Sequence, residues 1–275
     1  MDLLVIDDAS QRKPTRDGMG PLVAVGGFHL PGESARSLEV GLEELCLKSG
    51  FPQGEEFKWS PGSRSWMRKA LQFDRRRDFF LAALDLARKA SATAIVAVSD
   101  TQSQPASSGV ENPEHDVVTL FLERAQNLLG PLGTDAIVLF DRPSGNRKAE
   151  RKFLARCLQT IRAGTPFVDF EHLAFAVSTD SHLVRVLQLA DVVVSCTLSC
   201  VAGEKTWAPP VFQGIRPMLR TEGRRVGGVG LKLHPDRKYV NLYHWLVGDT
   251  YYRRGMSGWD LPIPGRPYAS SPNTR

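Results

Sequence analysis

The chain has 275 residues, 42% hydrophobic and 24% charged, so it can bury a core and disorder is not the expectation. Lys and Arg outnumber Asp and Glu by 35 to 30, and this net charge of +5 is modest enough that the placement of the basic residues matters more than their sum. No window approaches the ~18–20 apolar residues of a membrane span, and the opening Met1–Asp8 has no basic region before its apolar run, so neither a span nor a secretory leader is expected.

Leu3–Ile6 is a short apolar run that ends in Asp7 and Asp8 and reads as a buried strand. After the polar stretch Ala9–Gly20, Leu22–Leu30 reads as a second strand, in which Gly26 and Gly27 point to a bulge or a close backbone approach. Ser34–Lys48 has helical spacing and stops at Gly50. Glu55–Ser60 is a short extended segment, and Arg75–Ala90 is a helix with Phe79, Leu81, Leu84 and Leu86 on its apolar side. Thr93–Val98 is a strand that runs into Ser99 and Asp100. The polar stretch Gln102–Asn112 is loop-like, and Pro113 with Glu114 opens a helix to about Leu129.

Ala136–Phe140 is a further strand and ends at Asp141. Asn146–Arg162 is a basic helix, Val168–Val177 a strand, and Ser181–Cys200 a long apolar helix. Beyond about residue 201 the pattern predicts loops, a hairpin through Val226–Leu233 and a short element at Asn241–Leu246. The Pro-, Gly- and Ser-rich residues 257–275 read as a flexible tail. Two early strands followed by alternating helices and strands predict one α/β domain over residues 1–256, a mixed sheet flanked by helices.

The cysteines, Cys46, Cys157, Cys196 and Cys200, form no C-x-x-C pair and have no matching histidine pair. They read as buried reduced thiols of a cytoplasmic protein rather than a zinc site. Tyr239, Tyr243, Trp245, Tyr251 and Tyr252 read as packing residues before base-stacking ones.

Chemistry is suggested by acids that follow apolar strands: Asp7 with Asp8, Asp100, and Asp141. In open α/β sheets ligands gather outside the carboxyl ends of strands. An aspartate there also commonly starts a turn or caps a helix, but three in one chain favour a site. In the apolar segment 181–195, Ser181, Arg185, Gln188, Asp191 and Ser195 step by four, three, three and four. They therefore lie in one stripe of a helix that is otherwise apolar nearly all round. A charged Asp191 on such a helix needs a partner, a metal or water, and Arg185 is the competing partner.

Converging carboxylates suit Mg²⁺ or Mn²⁺, which prefer oxygen ligands and can activate water against a phosphodiester. The basic residues Arg142, Arg147 and Lys148 after Asp141, and Arg75–Arg77, are candidates to hold phosphates, as opposed to merely solvated helix faces.

Ile6-Asp7-Asp8-Ala9-Ser10, Gly26-Gly27, Glu56-Phe57-Lys58-Trp59-Ser60, Phe140-Asp141-Arg142 and Leu187-Gln188-Leu189-Ala190-Asp191 together resemble the domain of unknown function 3800 family, over roughly residues 1–200. That family is similar to the ribonuclease-H-like fold. The resemblance implies a first strand that carries a metal-binding acid, with further acids on a later strand and on the last helix. By position it implies Asp7 and Asp191, with Asp141 as the middle acid and Asp100 as its rival, and Asp8 beside Asp7. It includes Glu56 and Lys58 without assigning them a role, and Arg185 and Gln188 stand with Asp191 as supporting residues.

The family's usual Asp-Glu-Ser-Gly is here Asp-Asp-Ala-Ser. The expected function is a metal-dependent nuclease acting on DNA or RNA. The alternative is a nucleic-acid- or protein-binding module of the same fold without catalysis, with a protein partner or homo-oligomer compatible with either. A phosphatase with a second Asp two residues after the first is argued against by Ala9, and no P-loop, G-x-S-x-G or H-E-x-x-H string occurs.

Overall fold

The computed structural model describes residues 1–102, 113–143 and 146–274; the side chains of residues 113–115 are not described. The loop expected between Gln102 and Asn112 lies almost wholly outside the described residues. In chain order the elements are β1 (Asp2–Gln11), β2 (Leu22–Leu30), α1 (Gly32–Lys48), α2 (Trp66–Ala70), α3 (Asp74–Lys89), β3 (Thr93–Asp100), α4 (Pro113–Leu132), β4 (Ala136–Asp141), α5 (Arg147–Ala163), β5 (Leu173–Thr179), α6 (Arg185–Val201), α7 (Ala208–Ile215), β6 (Leu231–His234), α8 (Asp236–Val247), β7 (Tyr251–Arg254) and β8 (Ser257–Asp260).

Six strands form one mixed sheet in the order β5-β4-β1-β2-β3-β6, with β2 antiparallel to both its neighbours and the other pairs parallel. This arrangement, with helices on both faces, is consistent with a ribonuclease-H-like α/β fold.

Strand alternation sorts the core into two layers. Val5, Ala24, Phe28 and Val96 point to the face covered by α1, α3 and α6, whereas Leu4, Ile6, Val25 and Ile95 point to the face covered by α4 and α5. Helix α6 is apolar nearly all round because it is the central helix of its layer, buried from Val186 to Val201 apart from a polar edge. Gly26 and Gly27 mark a close approach and not a bulge: the β1–β2 register is continuous, and a Cβ at Gly27 would lie 1.9 Å from the Val5 carbonyl oxygen.

Several expectations need correction. β1 does not end at its acids but continues to Gln11, because the polar residues beyond Asp8 keep pairing with β2. The long helix is interrupted: Ser181–Leu183 is a 3₁₀ turn capped by the Asp180 side chain, Val184 is extended, and α6 starts at Arg185.

The expected hairpin at Val226–Leu233 is instead a turn followed by β6, which pairs in parallel with β3. Residues 257–274 are not a free tail, since Leu261 and Tyr268 are buried. β8 pairs with β7, Tyr268 is fully buried, and the Asn241 side chain holds Ile263 and Pro267. Proline and glycine content suggested a tail, and the aromatic anchors override it. No helix among the described residues is long and apolar enough to cross a membrane. All four cysteines are buried free thiols.

Candidate active site

Asp7 sits in mid-β1, between the buried Ile6 and the exposed Asp8. Alternation puts its side chain on the α6 face with Val5 and Ala9. On β4, Phe140 points to the opposite layer and Asp141, next along, returns to the α6 face. β1 and β4 are adjacent and parallel, with Ile6 beside Phe140, so Asp7 and Asp141 are neighbours across one strand gap. Asp191 enters from α6, which packs on β1. Three carboxylates from β1, β4 and α6 are thus brought to one place.

Their electrostatics record that convergence. Burial, then the nearby charges of Asp191 and Asp141, push the Asp7 carboxyl up to about 8. The Asp8 amide, donating to Asp7 Oδ1 at 2.7 Å, pulls in the other direction and is outweighed. Burial also raises Asp191, although Trp59 N–H donates to its Oδ2 (2.7 Å) and the Ser195 hydroxyl to its Oδ1 (2.9 Å). Asp141 Oδ1 accepts from the amides of Arg142 (2.8 Å) and Ser181 (3.1 Å), which tie the start of the 3₁₀ turn to the end of β4.

A fourth wall comes from the irregular segment 55–59, and the α6 stripe explains how it is held. Arg185 donates to the Glu55 carbonyl (2.8 Å), Phe57 N–H donates to Gln188 Oε1 (3.2 Å), Trp59 N–H donates to Asp191, and the Trp59 indole N–H donates to Ser199 Oγ (3.2 Å). Every second residue is bound to the helix, while Glu56 and Lys58 pair with each other at 2.9 Å. Burial alone would lower the Lys58 ammonium, but Glu56, Asp191 and Asp141 outweigh it and the net shift is upward. Lys58 is therefore a cation close to the acids. Glu56 also meets Ser181 Oγ and His182 Nε2, each at 3.5 Å.

The other expected residues fall elsewhere. Asp8 lies on the opposite face of the sheet from Asp7, and its contribution to Asp7 is its amide and its nearby negative charge, so it leaves the ligand set. Asp100 is not the middle acid. Its strand is separated from β1 by β2, and it stands four residues beyond the level of Asp7, so strand geometry puts the two roughly 16 Å apart. Asp100 is fully buried and accepts from Lys238, Tyr239 and the amides of Gly20 and Gln102.

Arg185 does not pair with Asp191. Its guanidinium bonds Glu43 at 2.6 Å and Gln188 at 2.8 Å, so it braces the 55–59 segment. Arg142 is engaged by Glu150 and Asp180, and Arg147 and Lys148 are exposed on the first turn of α5.

Compared with known proteins, the chain matches no protein-family model and no curated sequence. An all-oxygen set of three mutually repelling carboxylates fits a hard divalent cation in donor type and in charge. The side chains do not close around one as they stand: among the described residues no group of three or more His, Cys, Asp or Glu is placed to hold a metal ion. Asp7 and Asp141 each have one oxygen engaged by backbone amides, which orients the carboxyl.

Sequence reasoning left Lys58 and Glu56 without a role. The signal that could have found it is the alternation of Glu55, Phe57 and Trp59 against the stepped stripe of α6.

Proposed function

We propose that this chain is a divalent-metal-dependent phosphodiesterase of nucleic acids, in which Asp7, Asp141 and Asp191 would hold Mg²⁺ or Mn²⁺. The observation that carries the reading is the Asp7 carboxyl. It is half-buried beside two other carboxylates, pushed up to about 8, and accepts a hydrogen bond from the adjacent Asp8 amide. Such a cluster is stable only when it shares protons or takes up a cation, and Lys58 brings an ammonium near Asp191 and Asp141. When bound, the ion supplies a water of lowered pKa and positive charge against the developing negative charge of the phosphoryl oxygens.

The chain's own residues do the rest. The amides of Arg142 and Ser181 fix Asp141, and Trp59 N–H and the Ser195 hydroxyl fix Asp191. Lys58, partly exposed, offers an ammonium to a phosphate oxygen at the edge of the acids. A module retaining the fold for binding alone would gain nothing from a destabilising half-buried acid at the position of Asp7.

The test is cleavage of end-labelled single-stranded, duplex and hybrid oligonucleotides with Mg²⁺, with Mn²⁺ and with EDTA, for wild type, Asp7→Asn and Asp191→Asn. Cleavage that needs the ion and disappears in both variants is expected. Absence of cleavage on every substrate, together with a melting temperature indifferent to either ion, would overturn the proposal.

A further inference from the structure

Beside the acids, a cleft of about 430 Å³ opens between the segment after Trp59, the start of α3 and the start of α7. It shares one residue with the candidate active site: Trp59 lines the cleft, and its backbone amide binds Asp191. Phe73 and Trp207 also line it, 65% and 55% exposed, with ring centroids 5.8 Å apart at 38°. Two large rings left in solvent at a cleft edge are a binding feature before a packing one. Phe73 is moreover held at φ 49°, a left-handed conformation that a bulky side chain rarely adopts and that surrounding structure must impose.

The cleft is also cationic. Arg68, Arg76 and Arg77 line it. Arg77 is neutralised by Asp74 and Asp78, but Arg68 and Arg76 bond only main-chain carbonyls, Pro61 and Leu71, and form no ion pair among the described residues. Burial, then the charge of Arg68, lower the Arg76 guanidinium, so the two cations lie close enough to repel. The acid in the lining, Glu204, already accepts from the amides of Thr206, Trp207 and Ala208 and so caps α7.

We propose that this cleft binds single-stranded nucleic acid, with a base stacked on the outer face of the Phe73–Trp207 pair and adjoining phosphates on Arg68 and Arg76. The rings already touch, so the base lies against the pair and not between its members. Stacking on an exposed ring requires an unpaired base, which is why a single strand fits and a duplex does not. A strand lying along the cleft passes Trp59 and reaches Asp191 and Lys58. This inference names the substrate of the proposed active site and rests on that reading for what happens to the strand. The binding itself does not depend on it.

The experiment is fluorescence anisotropy of the full chain, in EDTA, with a short labelled oligothymidylate, its duplex and a polyglutamate competitor. The single strand should bind more tightly than the duplex. Phe73→Ala and Trp207→Ala should each weaken it about tenfold, with Phe73→Trp restoring it. Arg68→Gln with Arg76→Gln should lower the slope of log affinity against log salt by about 1.4, ~0.7 per phosphate. Circular dichroism melts check that the variants fold.

Wild-type affinity in both aromatic variants, equal affinity for duplex, or displacement by polyglutamate at matching charge would overturn the inference. Binding unaffected by the aromatic variants while cleavage persists refutes the cleft and spares the phosphodiesterase. Binding as described with no cleavage under either ion does the reverse.

Discussion

Replacing Asp7 by Asn should stabilise the metal-free protein, and by an amount that depends on pH in a defined way. The folded-state carboxyl is raised from 3.8 to about 8. Between those values the folded state holds one more proton than the unfolded chain, so stability falls as pH rises, by about 1.4 kcal/mol per pH unit. The stability is therefore whole below the unfolded pKa, is lost through this window, and is flat above about pH 8. The full span would approach ~6 kcal/mol. Sharing of the proton with Asp141 and Asp191, and the partial exposure of Asp7, reduce the expected gain of Asp7→Asn to about 2–4 kcal/mol near pH 8. Asparagine retains Oδ1 for the Asp8 amide, so the substitution removes charge and little else. Urea unfolding in EDTA across this range measures the difference. A variant no more stable than wild type near pH 8, or one offset by the same amount at every pH, would refute the reasoning.

Other perturbations separate catalytic from bracing roles. Lys58→Met removes a cation close to Glu56, Asp141 and Asp191, and should raise the pH at which cleavage begins, with Lys58→Arg intermediate in a pH–rate profile. Arg185→Met frees the Glu55 carbonyl and Gln188 from a buried guanidinium, and should cost about 2–3 kcal/mol in denaturant unfolding while exposing the 55–59 segment to limited proteolysis. Asp100→Asn should cost about 3 kcal/mol, because it removes the charge of a fully buried carboxylate that pairs with Lys238, yet metal-dependent cleavage should survive at low temperature.

What the sequence made legible follows from range. The apolar runs of β1, β3 and β4 and the periodicity of α3 are local signals, and those elements form close to where they were expected. The stripe Ser181, Arg185, Gln188, Asp191 and Ser195 was also legible, since helical spacing alone aligns it. Its use was not, because its partners at Glu55, Phe57 and Trp59 lie far away in the chain. The choice between Asp141 and Asp100 depends on strand order: both follow apolar strands, and only the adjacency of β4 to β1 favours Asp141. Asp8 was misplaced because β1 was expected to stop at it. Once pairing carries the strand to Gln11, alternation sends Asp7 and Asp8 to opposite faces. Phe73 and Trp207 left no sequence signal, since each is an ordinary aromatic until α3 and α7 bring them together.

Joint binding of a divalent cation by Asp7, Asp141 and Asp191 is tested by anomalous diffraction from crystals of the full chain soaked in Mn²⁺. A peak bounded by those three carboxylates, lost in Asp7→Asn crystals, is expected. A saturating soak that leaves this position empty, or that places the ion on Asp8 or Asp100, would contradict it.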